Sequence, residues 1–237
     1  MKKYIRDMIY SVSLDKAGYK VTTVLGMKLK KKITPVEYWQ ERAKKYGKRS
    51  VYNMGYGNNE LDEVDRKQEE IYKRVLEKEL NRQEKTALDF GCGAGRFESM
   101  LAKLVRDKVY AFDPIGDLIN IAPLYEKVQY EILKGKQLPL NDKSIDLVFI
   151  SQVLDGVVDE CDLNYIASEL ERVSSDNALF FIVENISNVE CNGYWKYRMP
   201  EEYMRLFNFV DLVLKEVYLE LGEEIGVMVG RKKSHKK

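Results

Sequence analysis

The stretch ALDFGCGAGRF at residues 87–97 decides the fold of this 237-residue chain. A short apolar run, typical of a buried strand, leads into a glycine-rich turn, and the helical pattern RFESMLAKLV follows at 96–105. In a strand–turn–helix unit of this kind, backbone N–H groups and the positive end of the helix dipole face a bound ligand. Gly91 and Gly93 permit the tight turn, and Gly95 lets the helix sit close to the strand.

The spacing of these glycines differs from that of a dinucleotide-binding turn. A GxGxxG turn would have glycine at its sixth position, where this chain has Arg96, and the pattern is instead DxGxGxG with Asp89 at the end of the strand. A carboxylate in that cleft suits a ligand that carries an ammonium group rather than a pyrophosphate. Asp113 ends the next apolar run, about 20 residues beyond the turn, where a carboxylate can accept both hydroxyls of a ribose.

Apolar runs and helical segments alternate along the rest of the chain. The runs after the first are KVYAFD (108–113), KVQYEIL (127–133), SIDLVFIS (144–151) and ALFFIVEN (178–185). Because apolar strands separated by helices form βαβ units, we expect an α/β fold with a buried parallel sheet. The last two runs, LVLKEVYLEL (212–221) and EIGVMVGRK (224–232), flank a short glycine turn and predict an antiparallel hairpin.

With these features, the chain resembles the class I S-adenosylmethionine-dependent methyltransferases over residues 86–184, and more loosely to residue 231. The segment LPLNDKSIDLVFISQVLDGVVD (138–159) is similar to that family's LPF.D.SFDLV stretch at the fourth strand. The final hairpin is similar to the family's reversed seventh strand. The resemblance implies a doubly wound, Rossmann-like sheet of seven strands with an antiparallel last strand, and S-adenosylmethionine as the cofactor.

The resemblance also implies where the cofactor would lie. Asp89 and Gly91 would face its methionyl end, Asp113 would hold the ribose, and Pro114 and Ile115 would flank the adenine. The full set of expected cofactor contacts is Asp89, Gly91, Cys92, Gly93, Gly95, Asp113, Pro114, Ile115, Gln137, Ser151 and Gln152.

Two positions depart from the family pattern. Lys134 stands where many relatives carry an aspartate that contacts the adenine amine, which leaves Gln137 or a backbone group for that contact. Gly156 stands where many relatives carry a histidine, which removes one candidate base.

Two carboxylates are candidates for a catalytic base. Transfer to an alcohol needs a base, whereas an amine acceptor needs only to be unprotonated. Asp155 follows the predicted fourth strand and Glu184 ends the fifth, and ligands of open α/β sheets gather at the carboxyl ends of the strands. The alternative for each is a structural carboxylate at a cap or on the surface.

Aromatic residues in two segments are candidate substrate contacts. Tyr38 and Trp39 lie in the predicted helix PVEYWQERAKKYG (35–47), which could close over the cofactor, or could use its aromatics only for packing. Trp195, Tyr197 and Arg198 follow the fifth strand, where relatives carry the insertion that recognises the acceptor.

Charge is distributed unevenly along the chain. Residues 1–49 carry 14 Lys/Arg against 4 Asp/Glu, and residues 231–237 are also basic, whereas the whole chain has a net charge of only +1. We divide the chain into a basic strand or hairpin module (1–33), helices that cap the cofactor site (34–83), the methyltransferase domain (84–231) and a basic tail (232–237). The basic ends suggest contact with a polyanion or an anionic membrane surface, or are simply solvated.

The N-terminal module bears on the acceptor. IYSVSLDKAGYKVTTVLGMKLKKK (9–32) is similar to a short leader of bacterial surface-polysaccharide and lipopolysaccharide biosynthesis proteins. This resemblance implies a glycan or nucleotide-sugar acceptor. Alternating apolar and basic residues could rest on an anionic membrane surface, or could form an edge hairpin that lysines keep soluble.

Several classes of site are not expected. The chain has one histidine, His235, and three scattered cysteines, so we expect no metal site and no His-based triad. Nucleic acid is not expected as a partner, because the body is acidic and no NPPY-type motif follows the fourth strand. We expect a cytoplasmic enzyme, either free or peripheral at the inner face of the membrane, that O-methylates a sugar of a surface polysaccharide or its precursor. The alternatives are a methyltransferase of protein or peptide amines and a non-catalytic cofactor-binding scaffold.

Overall fold

The computed structural model describes residues 10–15, 18–188 and 192–234. The first nine residues of the basic module and the end of the tail, including His235, lie outside the described residues. No helix in the described part of the chain is long and apolar enough to cross a membrane.

A small antiparallel sheet comes first in the chain. Its strands, in the order β1-β2-β3, are β1 (Tyr10–Leu14), β2 (Tyr19–Val24) and β3 (Met27–Lys32). The sequence therefore forms the predicted hairpin over 19–32, with one further strand on its other side.

The main sheet has seven strands in the order β6-β5-β4-β7-β8-β10-β9. They are β4 (Thr86–Phe90), β5 (Lys108–Asp113), β6 (Val128–Ile132), β7 (Ile145–Ser151), β8 (Ser174–Asn185), β9 (Val213–Glu220) and β10 (Glu223–Arg231). The first five of these pair in parallel, and β10 pairs antiparallel with both β8 and β9. The predicted fold class is thereby confirmed, including the reversed final strand.

Helices pack on both faces of this sheet. They are α1 (Pro35–Tyr46), α2 (Leu61–Glu79), α3 (Glu98–Leu104), α4 (Gly116–Ile119), α5 (Glu160–Val173) and α6 (Pro200–Leu206). Helix α1 begins as its sequence predicts, because the Thr34 hydroxyl caps the N–H of Glu37 while Pro35 occupies the first turn.

Two apolar layers sandwich the central strands. On β7, Leu147 and Phe149 face the layer that includes α2 and α3, whereas Val148 and Ile150 face the layer that includes α5 and α6. Because successive side chains of a strand point to opposite faces, a strand buried on both sides must be apolar at nearly every position. This is why the strands read as continuous apolar runs rather than as alternating ones.

The topology brings the polar residues at the strand ends to one edge of the sheet. We call this the carboxyl edge, because the parallel strands β4, β5, β7 and β8 all end there, and β9 ends there as well. Strands that end together place their last side chains together, so this edge is where ligands bind in open α/β sheets.

Candidate active site at the carboxyl edge

The glycine turn after β4 is packed so closely that side chains are excluded. Gly91 has φ +82°, and a Cβ added to it would lie 2.4 Å from Cγ2 of Val153. Gly93 has φ +56° and faces Val51 of the segment that follows α1. Cys92 between them is buried, and its backbone N–H donates to the Phe112 carbonyl at 3.1 Å. The turn thus presents backbone at the edge, and only glycine fits at Gly91.

Asp113, at the end of β5, is tied to this turn. Its carboxylate accepts the N–H of Gly93 at 2.9 Å and the N–H of Ile115 at 2.7 Å. Burial raises the pKa of Asp113 to about 6, although both backbone hydrogen bonds act to lower it. Gly93 lies 20 residues before Asp113, so the spacing read from the sequence corresponds to a direct contact.

Asp89 and Glu98 form a pair of buried acids beneath the turn. Asp89 is 3% exposed and Glu98 is fully buried. Burial, and then the neighbouring Glu98, raise the pKa of Asp89 well above its usual range, and burial raises the pKa of Glu98 to about 7. Within the described chain neither acid forms an ion pair with a Lys or Arg side chain, since the nearby Arg96 pairs with Asp65 at 2.7 Å. A cationic ligand at this place would favour the ionised acids.

The loop after β7 is held by two buried charged residues. The Glu184 carboxylate, at the end of β8, accepts the backbone N–H groups of Val153, Leu154 and Asp155 at 2.8–3.2 Å. Arg198 donates to the carbonyls of Leu154 at 3.0 Å and of Val157 at 2.8 Å.

These contacts give both residues a positioning role. Glu184 is fully buried and Arg198 is 4% exposed. The bonds of Glu184 go to backbone, and those of Arg198 go to backbone and to Glu160, so they hold the loop rather than face a substrate. The base roles of Asp155 and Glu184 and the substrate role of Arg198 stay predictions.

Asp155 itself is only half-buried at the edge. Burial raises the pKa of Asp155 to about 6, against the lowering effects of the Gly156 N–H and of Arg198. Burial and the neighbouring Asp155 raise the pKa of Glu184 to about 8. The pKa values of both acids are therefore raised mainly because the two carboxyls are withdrawn from water close to each other.

A third group of polar side chains lies where β7 and β9 end against α2. Glu220 accepts from the amide of Gln68 at 2.9 Å and from the amide of Gln152 at 3.2 Å. The Tyr72 hydroxyl lies 3.2 Å from the Ser151 hydroxyl. We call Gln68, Tyr72, Ser151, Gln152 and Glu220 the edge polar cluster.

The remaining predicted residues are more dispersed. Tyr38 is buried and stacks on Tyr194 with ring centroids 4.0 Å apart, so its ring packs within the protein. Trp39 and Trp195 pack around Tyr38 edge-on and stay partly exposed. Pro114 and Gln137 are exposed, and Tyr197 is partly exposed. Ile115 is buried with Ala94, Leu118 and Ala43 of α1, and Tyr130 approaches Gly95.

Gln68, Tyr72, Glu98 and Glu220 were not among the residues predicted from the sequence. Gln68 and Tyr72 lie four residues apart on the face of α2 that also carries the buried Val64, Val75 and Leu76. Polar side chains on the apolar face of a predicted helix could have indicated that Gln68 and Tyr72 belong to a site. Glu220 gave none, because it reads as an ordinary strand residue beside a turn.

Comparison with known proteins adds a family match. Residues 88–182 match the model of a methyltransferase domain family. Among curated proteins, none matches the sequence significantly.

The fold is similar to those of solved S-adenosylmethionine-dependent methyltransferases. One from Aquifex aeolicus is 21% identical, with a TM-score of 0.55 over 74% of this chain and 98% of its own. One from Leishmania major is also 21% identical, with a TM-score of 0.66 over 84% of this chain and 81% of its own. One from Methanosarcina mazei is 18% identical, with a TM-score of 0.57 over 68% of this chain and 98% of its own. At these identities, the structures show the fold.

Proposed function

We propose that this chain, an S-adenosylmethionine-dependent methyltransferase by its domain at residues 88–182 and by its fold, methylates a hydroxyl group of a sugar in a bacterial surface polysaccharide or its precursor. The observation that carries the choice of a sugar is the edge polar cluster. The proposed base for the hydroxyl is Asp155.

The residues around the glycine turn fit the cofactor. When bound, S-adenosylmethionine supplies an activated methyl group on a positively charged sulfonium. Asp89, Glu98 and Asp113 are buried acids with raised pKa values, and a cationic ligand would stabilise their ionised forms. The turn N–H groups and Asp89 would hold the amino-acid end, and Asp113 would accept the ribose hydroxyls, since each of its oxygens has a second lone pair beyond its backbone bond.

The edge polar cluster supports a polyhydroxylated acceptor. Carboxylate and amide side chains match sugar hydroxyls, which both donate and accept hydrogen bonds. Glu220 and Gln68 are almost fully buried, and Gln68 bridges Glu220 to Arg96 by donating to the carboxylate and accepting from the guanidinium. Burial raises the pKa of Glu220. In this network the side chains donate to and accept from one another, and a sugar hydroxyl, which can do both, can take the place of one of these partners.

Asp155 supports transfer to oxygen rather than to nitrogen. Proton removal from an alcohol is most efficient with a base whose pKa lies close to the operating pH. The pKa of Asp155 is raised to about 6. Glu184 and Arg198 hold the loop that carries Asp155, which restricts its position. The chain's residues thus supply orientation and a base, which are the two things that in-line transfer to a hydroxyl requires.

A methyl-transfer assay with labelled cofactor tests the proposal. We expect turnover with one or more members of a panel of nucleotide sugars and oligosaccharides, and none with peptides that offer an N-terminal amine. Glu220→Gln should raise the KM for the sugar about tenfold, by the loss of a charged hydrogen bond, with unchanged affinity for S-adenosylmethionine.

Glu216→Gln is the matched control, because Glu216 lies on the same strand but pairs with Arg74 on the surface. It should leave the KM for the sugar unchanged. Turnover with peptides and none with any sugar would overturn the proposal in favour of an amine acceptor. Cofactor binding without any turnover across both panels would favour a scaffold.

A further inference from the structure

The turn and last strand of the small N-terminal sheet are exposed in a way that no packing explains. All six residues of β3 are exposed. Three large apolar side chains in this region are each about two-thirds exposed: Leu25 at 70%, Met27 at 66% and Leu29 at 65%. We call residues 25–29 the hairpin tip. Exposed apolar side chains in a cluster mark an interaction site.

The conformation of Leu25 adds a second, independent observation. Leu25 has φ +49° and is followed by Gly26 with φ +83°, so both central residues of the β2–β3 turn are in the left-handed region. Asparagine or glycine adopts that conformation at the first position far more readily than leucine. Leucine is therefore a poor choice for the turn itself, and its side chain makes no compensating buried contact.

Close to the turn, the register of the hairpin separates apolar from basic side chains. Met27 and Leu29 pair with Val24 and Thr22, so they share one face of the sheet. Lys28, Lys30 and Lys32 pair with Thr23, Val21 and Tyr19 on the opposite face. Residues paired directly across a sheet point to the same face, so at the tip Met27 and Leu29 lie on one side and Lys28 on the other. Lys31 and its partner Lys20 follow on the Met27 side, farther from the turn.

The lysines of β3 differ in whether an acidic side chain pairs with them. Lys30 pairs with Asp15 at 3.3 Å and Lys31 with Glu37 at 3.1 Å. Over the part of the chain that the structure describes, Lys28 and Lys32 form no ion pair. The positive charge nearest the apolar side chains is therefore left for an external anion.

We propose that the hairpin tip inserts into the surface of an anionic lipid bilayer. Leu25, Met27 and Leu29 would enter the boundary between headgroups and acyl chains, and the lysines would contact lipid phosphates. At about 3.3 Å per residue, Lys28–Lys32 lie within about 15 Å of the turn, which is the depth range of the headgroup region and the water beside it. Apolar side chains flanked by basic ones are the combination that binds such interfaces.

Two other occupants suit the tip less well. A soluble polyanion would use the lysines but would leave Leu25, Met27 and Leu29 in water. A second copy of the chain, pairing β3 against β3, would set lysines close to one another across the new ladder, and like charges facing each other destabilise a sheet.

Flotation of the full chain with lipid vesicles tests this proposal, and it needs no methyl acceptor, so its outcome is independent of the proposed function. We expect binding to vesicles of phosphatidylcholine with phosphatidylglycerol and little binding to vesicles of phosphatidylcholine alone. Leu25→Asn with Met27→Ser should lower the partition coefficient at least about tenfold while keeping the hairpin, because asparagine suits the turn. Lys28→Glu with Lys32→Glu should lower it by a similar factor.

Matched controls exist elsewhere in the chain. Leu221, at the β9–β10 turn, also has a positive φ of +51° before a glycine, so Leu221→Asn makes the same change at a second hairpin. Lys78→Glu with Lys103→Glu makes the same charge change on exposed helix positions. Both controls should bind vesicles as the unaltered chain does.

Three results would overturn the proposal. The first is equal flotation of the Leu25→Asn, Met27→Ser variant and the unaltered chain. The second is binding to dextran sulfate with none to anionic vesicles, which would identify a polyanion site. The third is a dimer by sedimentation that the tip substitutions dissociate, with no vesicle binding, which would identify a self-association surface.

Discussion

The two halves of the carboxyl edge use buried carboxylates differently. In the half formed by β4 and β5, Asp89 and Glu98 lie against each other, and their pKa values are raised by burial with no basic side chain paired to either among the described residues. In the half formed by β7 and β8, Glu184 receives three backbone N–H groups and holds the loop that carries Asp155. Glu184 is thus engaged by three backbone donors of one loop, whereas a cationic ligand would favour the ionised forms of Asp89 and Glu98.

The largest effect is expected from removing Glu184, in the half of the carboxyl edge formed by β7 and β8. Glu184→Ala should lower the free energy of unfolding by about 3 kcal/mol, because three loop N–H groups lose their buried acceptor. Glu184→Gln, which keeps a carbonyl oxygen, should cost less than half of that. Urea unfolding measures both. As a control, Glu126→Ala on the exposed loop before β6 should change the stability by no more than about 0.5 kcal/mol. A mild effect of Glu184→Ala would show that the loop does not depend on this residue.

The next effect separates Asp155 from Glu184. Asp155→Asn should lower kcat for a hydroxyl acceptor about 100-fold by removing the base, with unchanged affinity for S-adenosylmethionine. Since the base must be ionised, kcat of the unaltered enzyme should rise with pH through about 6 and then level off. The variant should lack that rise. A pH profile that survives in Asp155→Asn would assign the ionisation to another group.

A smaller effect, on cofactor binding, is expected from removing Asp113 in the half of the carboxyl edge formed by β4 and β5. Asp113→Ala should weaken S-adenosylmethionine binding at least about tenfold in calorimetry, through the loss of a charged hydrogen-bond acceptor. Asp117→Ala, at an exposed position on α4, should leave the affinity unchanged. Because Asp113 also orders the glycine turn, urea unfolding of the variant must first show an intact fold. Unchanged cofactor affinity in a folded Asp113→Ala protein would contradict the placement of the ribose.

The smallest effect is a pH dependence of thermal stability that arises from the acids in the half formed by β4 and β5. These acids stay protonated in the ligand-free fold at pH values where they are already ionised in the unfolded chain. The thermal stability should therefore fall as the pH rises from about 4 to about 6 to 7, and level off once Asp113 and Glu98 ionise in the folded protein. A cation binds better to the ionised acids, so the rise in Tm on adding S-adenosylmethionine should be a few degrees larger at about pH 7.5 than at about pH 5.5. An equal rise at both pH values would mean that these acids do not face the cofactor's charge.

Local patterns in the sequence predicted much of this molecule. The parallel sheet, the reversed last strand and the start of α1 follow from apolar runs, a short turn and the Thr34–Pro35 cap, all of which act over a few residues. Asp89 and Asp113 were placed by the glycine turn between them. The edge polar cluster was not foreseen, because its hydrogen bond from Gln68 to Glu220 spans 152 residues and leaves no local signature.

The sequence by itself therefore determined the α/β class, the glycine turn with its two aspartates, and the basic, alternating hairpin at the front of the chain. Only the tertiary structure decided which polar residues act together at the carboxyl edge, that Glu184 and Arg198 support a loop, and that Leu25, Met27 and Leu29 stay uncovered. Strand and turn patterns arise from interactions between near neighbours along the chain. Burial and hydrogen-bond partners depend on which distant segments the fold brings together.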